Sequence, residues 1–136
     1  MAVTISNITE PGNVPIRNLS LAQTLAFVSV SRLVAANTTN ATLLKGGPAV
    51  LLGVTVTNAG AAARYVKTYN KATAPTVGTD VPVQVFGLAA GVSQTYSYPN
   101  GYPYSIGLGF GIVNLPADSD TTAPTAGDVI VDFHFL

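Results

Sequence analysis

From Ala49 to Thr57 the chain alternates: Leu52, Val54 and Val56 fall on one phase, Gly53, Thr55 and Thr57 on the other. A period of two marks a strand with one face in a core and threonine on the other. Similar short runs recur along the chain, at Gln23–Val34, Ala41–Lys45, Arg64–Asn70, Val81–Val85, Val92–Tyr98, Tyr102–Val113 and Asp128–Leu136. Within them Tyr65, Lys67 and Tyr69 oppose Val66 and Thr68. Gln94, Tyr96 and Tyr98 share a face, and Val129, Val131, Phe133 and Phe135 oppose Ile130, Asp132, His134 and Leu136. Turn formers separate the runs, including Gly46-Gly47-Pro48, Leu88-Ala89-Ala90-Gly91 and Pro99-Asn100-Gly101. Pro82 assigns the Val81–Val85 run to an edge, because proline cannot donate to a ladder. The best helical window, Asn58–Arg64, is too short and contains glycine. The expected fold is all-β: an antiparallel β-sandwich of seven or eight strands, with a jelly roll as one arrangement.

Two segments depart from simple alternation. Residues 1–22 space Ile5, Ile8, Val14, Ile16, Leu19 and Leu21 among polar residues, with Pro11, Gly12 and Pro15 between them. Proline at this density rules out a helix or a central strand, and the aliphatics are too many for a solvated tail. The expectation is an extended N-terminal arm on residues 1–22, lying on a neighbouring subunit or folded back on the sandwich of residues 23–136. In the seventh run Gly107, Gly109 and Gly111 occupy every second position, so one face lacks side chains and another backbone or a ring can approach closely.

Composition narrows the function classes. The formal charge is zero, and only 9% of the 136 residues are charged, against about 25% in an average soluble domain. Six dispersed basic residues give no nucleic-acid footprint. No apolar run approaches the roughly 18 residues of a membrane span. The N-terminus lacks the basic start and apolar centre of a secretory leader. There is no cysteine, which removes disulfides, thiolate metal ligands and thiol nucleophiles. So sparsely charged a surface points to burial against partners, or to a threonine-rich monomer.

Candidate chemistry is thin. His134 and Asp132 share a side of the last strand, yet no Gly-x-Ser-x-Gly elbow supplies a nucleophile, so no catalytic residue is assigned. Asp118 and Asp120 could bind a cation if other oxygens converged; the simpler reading is a turn in which Asp caps backbone amides. No metal or cofactor is expected. Tyr96, Tyr98, Tyr102 and Tyr104 flank one turn and are candidate interface residues beside Ile5, Ile8, Val14, Ile16, Leu19 and Leu21. Those rings serve an interface or a core, and sugar stacking is the rival use.

The stretches Leu44-Lys45-Gly46-Gly47-Pro48, Leu52–Asn58, Arg64–Pro75, Val77–Val83, Tyr98–Gly101, Gly107–Gly109 and Asp118–Thr122 resemble a recurring pattern in small virion proteins of tailed bacteriophages. The resemblance covers about residues 41 to 136 and leaves out the arm. It implies a β-sandwich in a repeated shell or fibre, without an active site. The roles it implies are capsid decoration or cement on the capsid surface, head fibre, or tail component; a carbohydrate-binding host-attachment module stands as the alternative. The partners it implies are other virion proteins, chiefly the major capsid protein, and a homo-oligomer with the trimer favoured, with neither nucleic acid nor membrane.

Overall fold

The computed structural model describes residues 28–136, together with the backbone of two short strands, β1 (Thr4–Ile5) and β2 (Leu19–Ser20), which pair antiparallel. The side chains of Ile5, Ile8, Val14, Ile16, Leu19 and Leu21, and the Gln23–Phe27 part of the first expected run, lie outside the described residues. Eight further strands follow: β3 (Ser29–Val34), β4 (Thr42–Lys45), β5 (Ala49–Asn58), β6 (Arg64–Asn70), β7 (Gln84–Leu88), β8 (Ser93–Tyr104), β9 (Leu108–Val113) and β10 (Val129–Phe135).

Their pairings nest. β3 pairs with β10, β4 with β9, β5 with β8 and β6 with β7, all antiparallel. The strands thus form one long ribbon, folded back at the β6–β7 connection. Rolling that ribbon adds the pairs β10–β5 and β6–β9 and yields two four-stranded sheets, β3-β10-β5-β8 and β4-β9-β6-β7. This is the jelly-roll arrangement of an antiparallel sandwich. Between the sheets lie Leu51, Val54, Val56, Val66, Phe86, Leu108, Phe110, Ile112, Val129, Val131 and Phe133, all essentially inaccessible. Phe110 and Phe133 meet across the core with ring centroids 4.6 Å apart.

Two boundaries differ from the sequence expectation. Pro99-Asn100-Gly101 does not turn the chain; β8 runs through it. Leu51 pairs with Tyr102 and Gly53 with Ser97, so the excess residues of β8 form a bulge, and Gly101 absorbs it at φ 73°. The chain leaves the sheet later, at Ser105–Gly107. There Asn70 accepts from the Ile106 and Gly107 amides at 2.8 and 3.3 Å and donates to Ser105 at 3.0 Å. The turn is held by a side chain from another strand. The Val81–Val85 run also shifts: the ladder with β6 begins at Gln84, because Pro82 offers no donor, and Val81 is left 76% exposed. β7 does lie at a sheet edge.

Candidate interaction surface

The outer faces of the two sheets differ. On β4-β9-β6-β7 the glycine phase of β9 is overlaid by the chain itself. A Cβ on Gly107 would lie 2.2 Å from the Lys71 carbonyl oxygen and 2.8 Å from that of Lys45; one on Gly109 would meet Pro75 at 3.0 Å, and one on Gly111 Val77 at 2.5 Å. The Lys71–Asp80 connection therefore lies in a trough that only glycine leaves open. Asn114–Gly127 lies over Lys67, while Leu43 on β4 and Val85 on β7 stay exposed at the two edges. Lys67 is fully buried on this outer face, and its ammonium donates to the Ala117 carbonyl. Burial pulls its pKa down, against the pull of Asp120 and Asp118. Asp120 accepts from the Leu115 amide at 2.8 Å, and from the Thr122 amide at 3.2 Å and hydroxyl at 2.8 Å. Burial alone would raise its pKa, but these hydrogen bonds together with Lys67 hold it below the usual carboxylate range. Asp118 is exposed, so the Asp118–Asp120 turn places one carboxylate in solvent and uses the other to cap loop amides. Lys71 pairs with Asp80 at 2.6 Å, and Arg64 with Asp128 at 2.5 Å. Sequence reasoning missed this role for Arg64 and Lys67 of β6 and for Lys71 just after it, which anchor the covering loops.

The outer face of β3-β10-β5-β8 is open among the described residues. The register sets three ranks across it: Val30–His134–Gly53–Ser97, Arg32–Asp132–Thr55–Thr95 and Val34–Ile130–Thr57–Ser93. On the β8 side hydroxyls pair with each other, Thr55 with Thr95 at 2.9 Å and Thr57 with Ser93 at 2.8 Å. On the β3 side Val28, Val30 and Val34 are 48%, 63% and 47% exposed. At Gly53 the missing side chain and the bulge at Leu52 leave a hollow of about 350 Å³, rimmed by Val28, Leu52, Thr55, Thr95, Ser97 and His134.

No protein-family model, curated protein or solved structure matches this chain.

Its surface must therefore be read from its own residues. His134 and Ser97 both rim the hollow, on the two strands flanking β5, and no hydrogen bond joins them among the described residues. Asp132 lies on His134's side as expected, yet it faces Arg32 at 3.8 Å and makes no hydrogen bond with His134 among the described residues. The tyrosines expected at an interface turn inward. Tyr104 is 1% exposed and shares a 2.7 Å hydrogen bond with Thr68, so its ring belongs to the chain's own core. Tyr96, Tyr98 and Tyr102 are half-buried against that core. Tyr96 meets Phe86 at 4.8 Å, and Tyr102 lies between Tyr98 and Tyr104 at 5.8 and 5.6 Å. Tyr98 and Tyr104 both donate to Gln84 at 3.3 Å, which ties β8 to β7 along the open side of the sandwich.

Proposed function

We propose that this chain is a structural virion protein of a tailed bacteriophage, a capsid decoration or cement protein that adheres to neighbouring subunits through the outer face of β3-β10-β5-β8. The observation that carries this reading is the contrast between the two outer faces. One is covered over its centre by the chain's own loops, with Leu43 and Val85 left exposed on its edge strands; the other is uncovered among the described residues, with valine on one side and paired hydroxyls on the other. Jelly rolls recur in both capsid and lectin domains, so topology alone does not choose between them. The inward tyrosines weigh against the lectin reading, since the rings that would stack on a sugar pack in tilted contact against each other and the core. The resemblance over residues 41 to 136 supports the virion reading. Adhesion by apolar contact contributes about 25 cal/mol per Å² before entropy costs, and many copies on one shell add avidity.

The test is mass spectrometry and immunogold labelling of phage particles purified from the source of the sequence. The expected result is a multicopy chain on the shell. Its absence from purified particles would overturn the virion assignment, and label confined to tails would move the chain to the fibre or tail class. Binding to isolated shells should change little between about 0.05 and 0.5 M salt, because surface charge is sparse. A tenfold weakening would mean an electrostatic interface instead.

A further inference from the structure

We propose that Asn100-Gly101 is a site of spontaneous modification, at which the asparagine side chain closes on the next backbone nitrogen and becomes an aspartyl or isoaspartyl residue. The chemistry is the same whatever the chain adheres to, so it stands apart from the virion reading.

Asn-Gly occurs once in the sequence. The fold requires its second member. Leu51 pairs with Tyr102 and Gly53 with Ser97, so Tyr98–Gly101 stand opposite Leu52 alone. Gly101 takes a left-handed φ of 73°, and a Cβ there would lie 2.3 Å from Val50 Cγ1. The first member is left unrestrained. The register gives Tyr98–Gly101 no ladder partner on β5, and β8 is the edge strand of its sheet. Asn100 is exposed. Among the described residues it is the one asparagine whose side chain makes no hydrogen bond; those of Asn37, Asn40, Asn58, Asn70 and Asn114 are each held. A glycine nitrogen, with no Cβ beside it, is the least hindered nucleophile a backbone offers. The bulge therefore sets that nitrogen next to the least restrained amide of the sandwich.

The step balances with water as its only co-reactant. Base takes the Gly101 amide proton, the nitrogen attacks Asn100 Cγ, the Cγ–Nδ2 bond breaks and ammonia leaves, closing a five-membered imide. Water then opens the ring. Attack at Cγ gives aspartate in the ordinary chain; attack at the main-chain carbonyl carbon gives isoaspartate, with the chain running through Cγ. One ammonia is lost and one water gained. Either product carries one new carboxylate, which takes the formal charge from zero to minus one. A charge added to an edge strand opposes its pairing with another strand. The isoaspartyl link also lengthens the main chain by one carbon, at a bulge already out of register with β5.

The full chain is incubated in heavy-oxygen water, folded at about pH 9 and about pH 5 and unfolded in guanidinium chloride at about pH 9. Circular dichroism checks the fold, and peptide mapping by mass spectrometry reads each asparagine. The expected result in the folded chain at the higher pH is conversion at Asn100, with one ammonia released and one heavy oxygen gained per event. It should run at least roughly tenfold faster than at Asn37 or Asn70, which no glycine follows. It should slow at the lower pH, because the attacking nitrogen must lose its proton. Ion exchange should resolve a more acidic species that Asn100→Gln, one carbon too long to close the same ring, does not form. Conversion at Asn100 in the unfolded chain but not in the folded one would overturn the site, since the strand would then hold the amide. So would equal conversion at Asn70, or an acidic species that persists in Asn100→Gln.

Discussion

Replacing Gly107 by alanine tests whether the glycine phase of β9 exists to admit a covering segment. The added Cβ would lie 2.2 Å from the Lys71 carbonyl oxygen and 2.8 Å from the Lys45 carbonyl oxygen. Both obstacles are backbone, so no rotamer change relieves them. Restoring ordinary contact requires a shift of about 1 Å, and overpacking of this kind costs about 1–3 kcal/mol. The same shift strains the hydrogen bond from the Lys71 amide to the Gly107 carbonyl at 3.1 Å and that from the Gly107 amide to Asn70 at 3.3 Å. Each is worth about 1 kcal/mol. The expected loss is thus about 3 kcal/mol, equivalent to about 10 °C in Tm for a domain of this size. In urea, with a slope of roughly 2 kcal/mol per M, the midpoint should fall by about 1.5 M. Two companions calibrate it. Gly111→Ala meets Val77 at 2.5 Å, but at the end of a side chain that can turn, so about 1 kcal/mol is expected. Gly47→Ala meets nothing within 4 Å and should stay within about 0.5 kcal/mol of the parent. Unfolding is followed by far-ultraviolet circular dichroism and tyrosine emission. A Gly107→Ala midpoint indistinguishable from that of Gly47→Ala would refute the close approach.

Asp120→Asn places an amide where three donors point, and should cost about 1–3 kcal/mol and raise hydrogen exchange in residues 114–122. The sign of its pH dependence follows from a folded pKa below the unfolded value: the stabilisation is complete above about pH 4 and is lost as pH falls through the folded pKa, so the parent and Asp120→Asn should converge in acid melts. At the other extreme, Tyr69 and Tyr104 are each pushed up to about 12, chiefly by burial. Both stay neutral in the fold, so the stability they contribute is intact below pH 10 and falls as pH rises through 12. Absorbance titration at the phenolate band should show two late-ionising tyrosines near 12, and their early ionisation without unfolding would contradict their burial. Lys67 acts with the opposite sign, since its pKa is lowered by burial; Lys67→Met should therefore reduce the rise of stability with pH below about 10.

Much of the fold is legible in the sequence because alternation is a local signal. Val54, Val56, Val129, Val131 and Phe133 all face the core as their phase predicts. The glycine phase of β9 also reads correctly, because an unoccupied face implies something lying on it. What escapes is whatever depends on a distant partner. Pro99-Asn100-Gly101 looks like a turn by composition, but β5 pairs on both sides of it, and cross-strand pairing overrides the local preference. The real turn carries no strong signal of its own, since Asn70 holds it from another strand. Asn58 did carry a signal: it continues the inward phase of Val54 and Val56, so a buried amide needing partners was foreseeable. It finds them in the Ala62 and Leu88 carbonyls and the Gly60 amide. Lys67 is harder to foresee, because its outward phase suggests solvent and only the covering loop makes it internal. The tyrosines read from the sequence as interface or core residues; their shared phase on one continuous strand faces the sandwich interior, with Tyr104 buried and Tyr96, Tyr98 and Tyr102 half-buried.

The sparse charge of this chain acquires a meaning once each charge is located. Arg64, Lys67 and Lys71 bind Asp128, the Ala117 carbonyl beside Asp120, and Asp80, so half of the basic residues secure loops over one sheet. Arg32 and Asp132 satisfy each other on the other sheet. What remains on the described surface is little more than Lys45 and Asp118. A molecule arranged this way has no long-range field with which to select or steer a partner. Discrimination would then come from shape and short-range contact, at a hollow whose rim mixes valine and leucine with threonine, serine and histidine. That suits a component that meets one repeated surface at high local concentration, where orientation is set by neighbours already in place, better than one that must capture a dilute ligand from solution. The loop-covered sheet contributes rigidity: its covering loops are pinned by Arg64, Lys67 and Lys71, and the sheet packed against it holds its ranks by the ladders of β3, β10, β5 and β8.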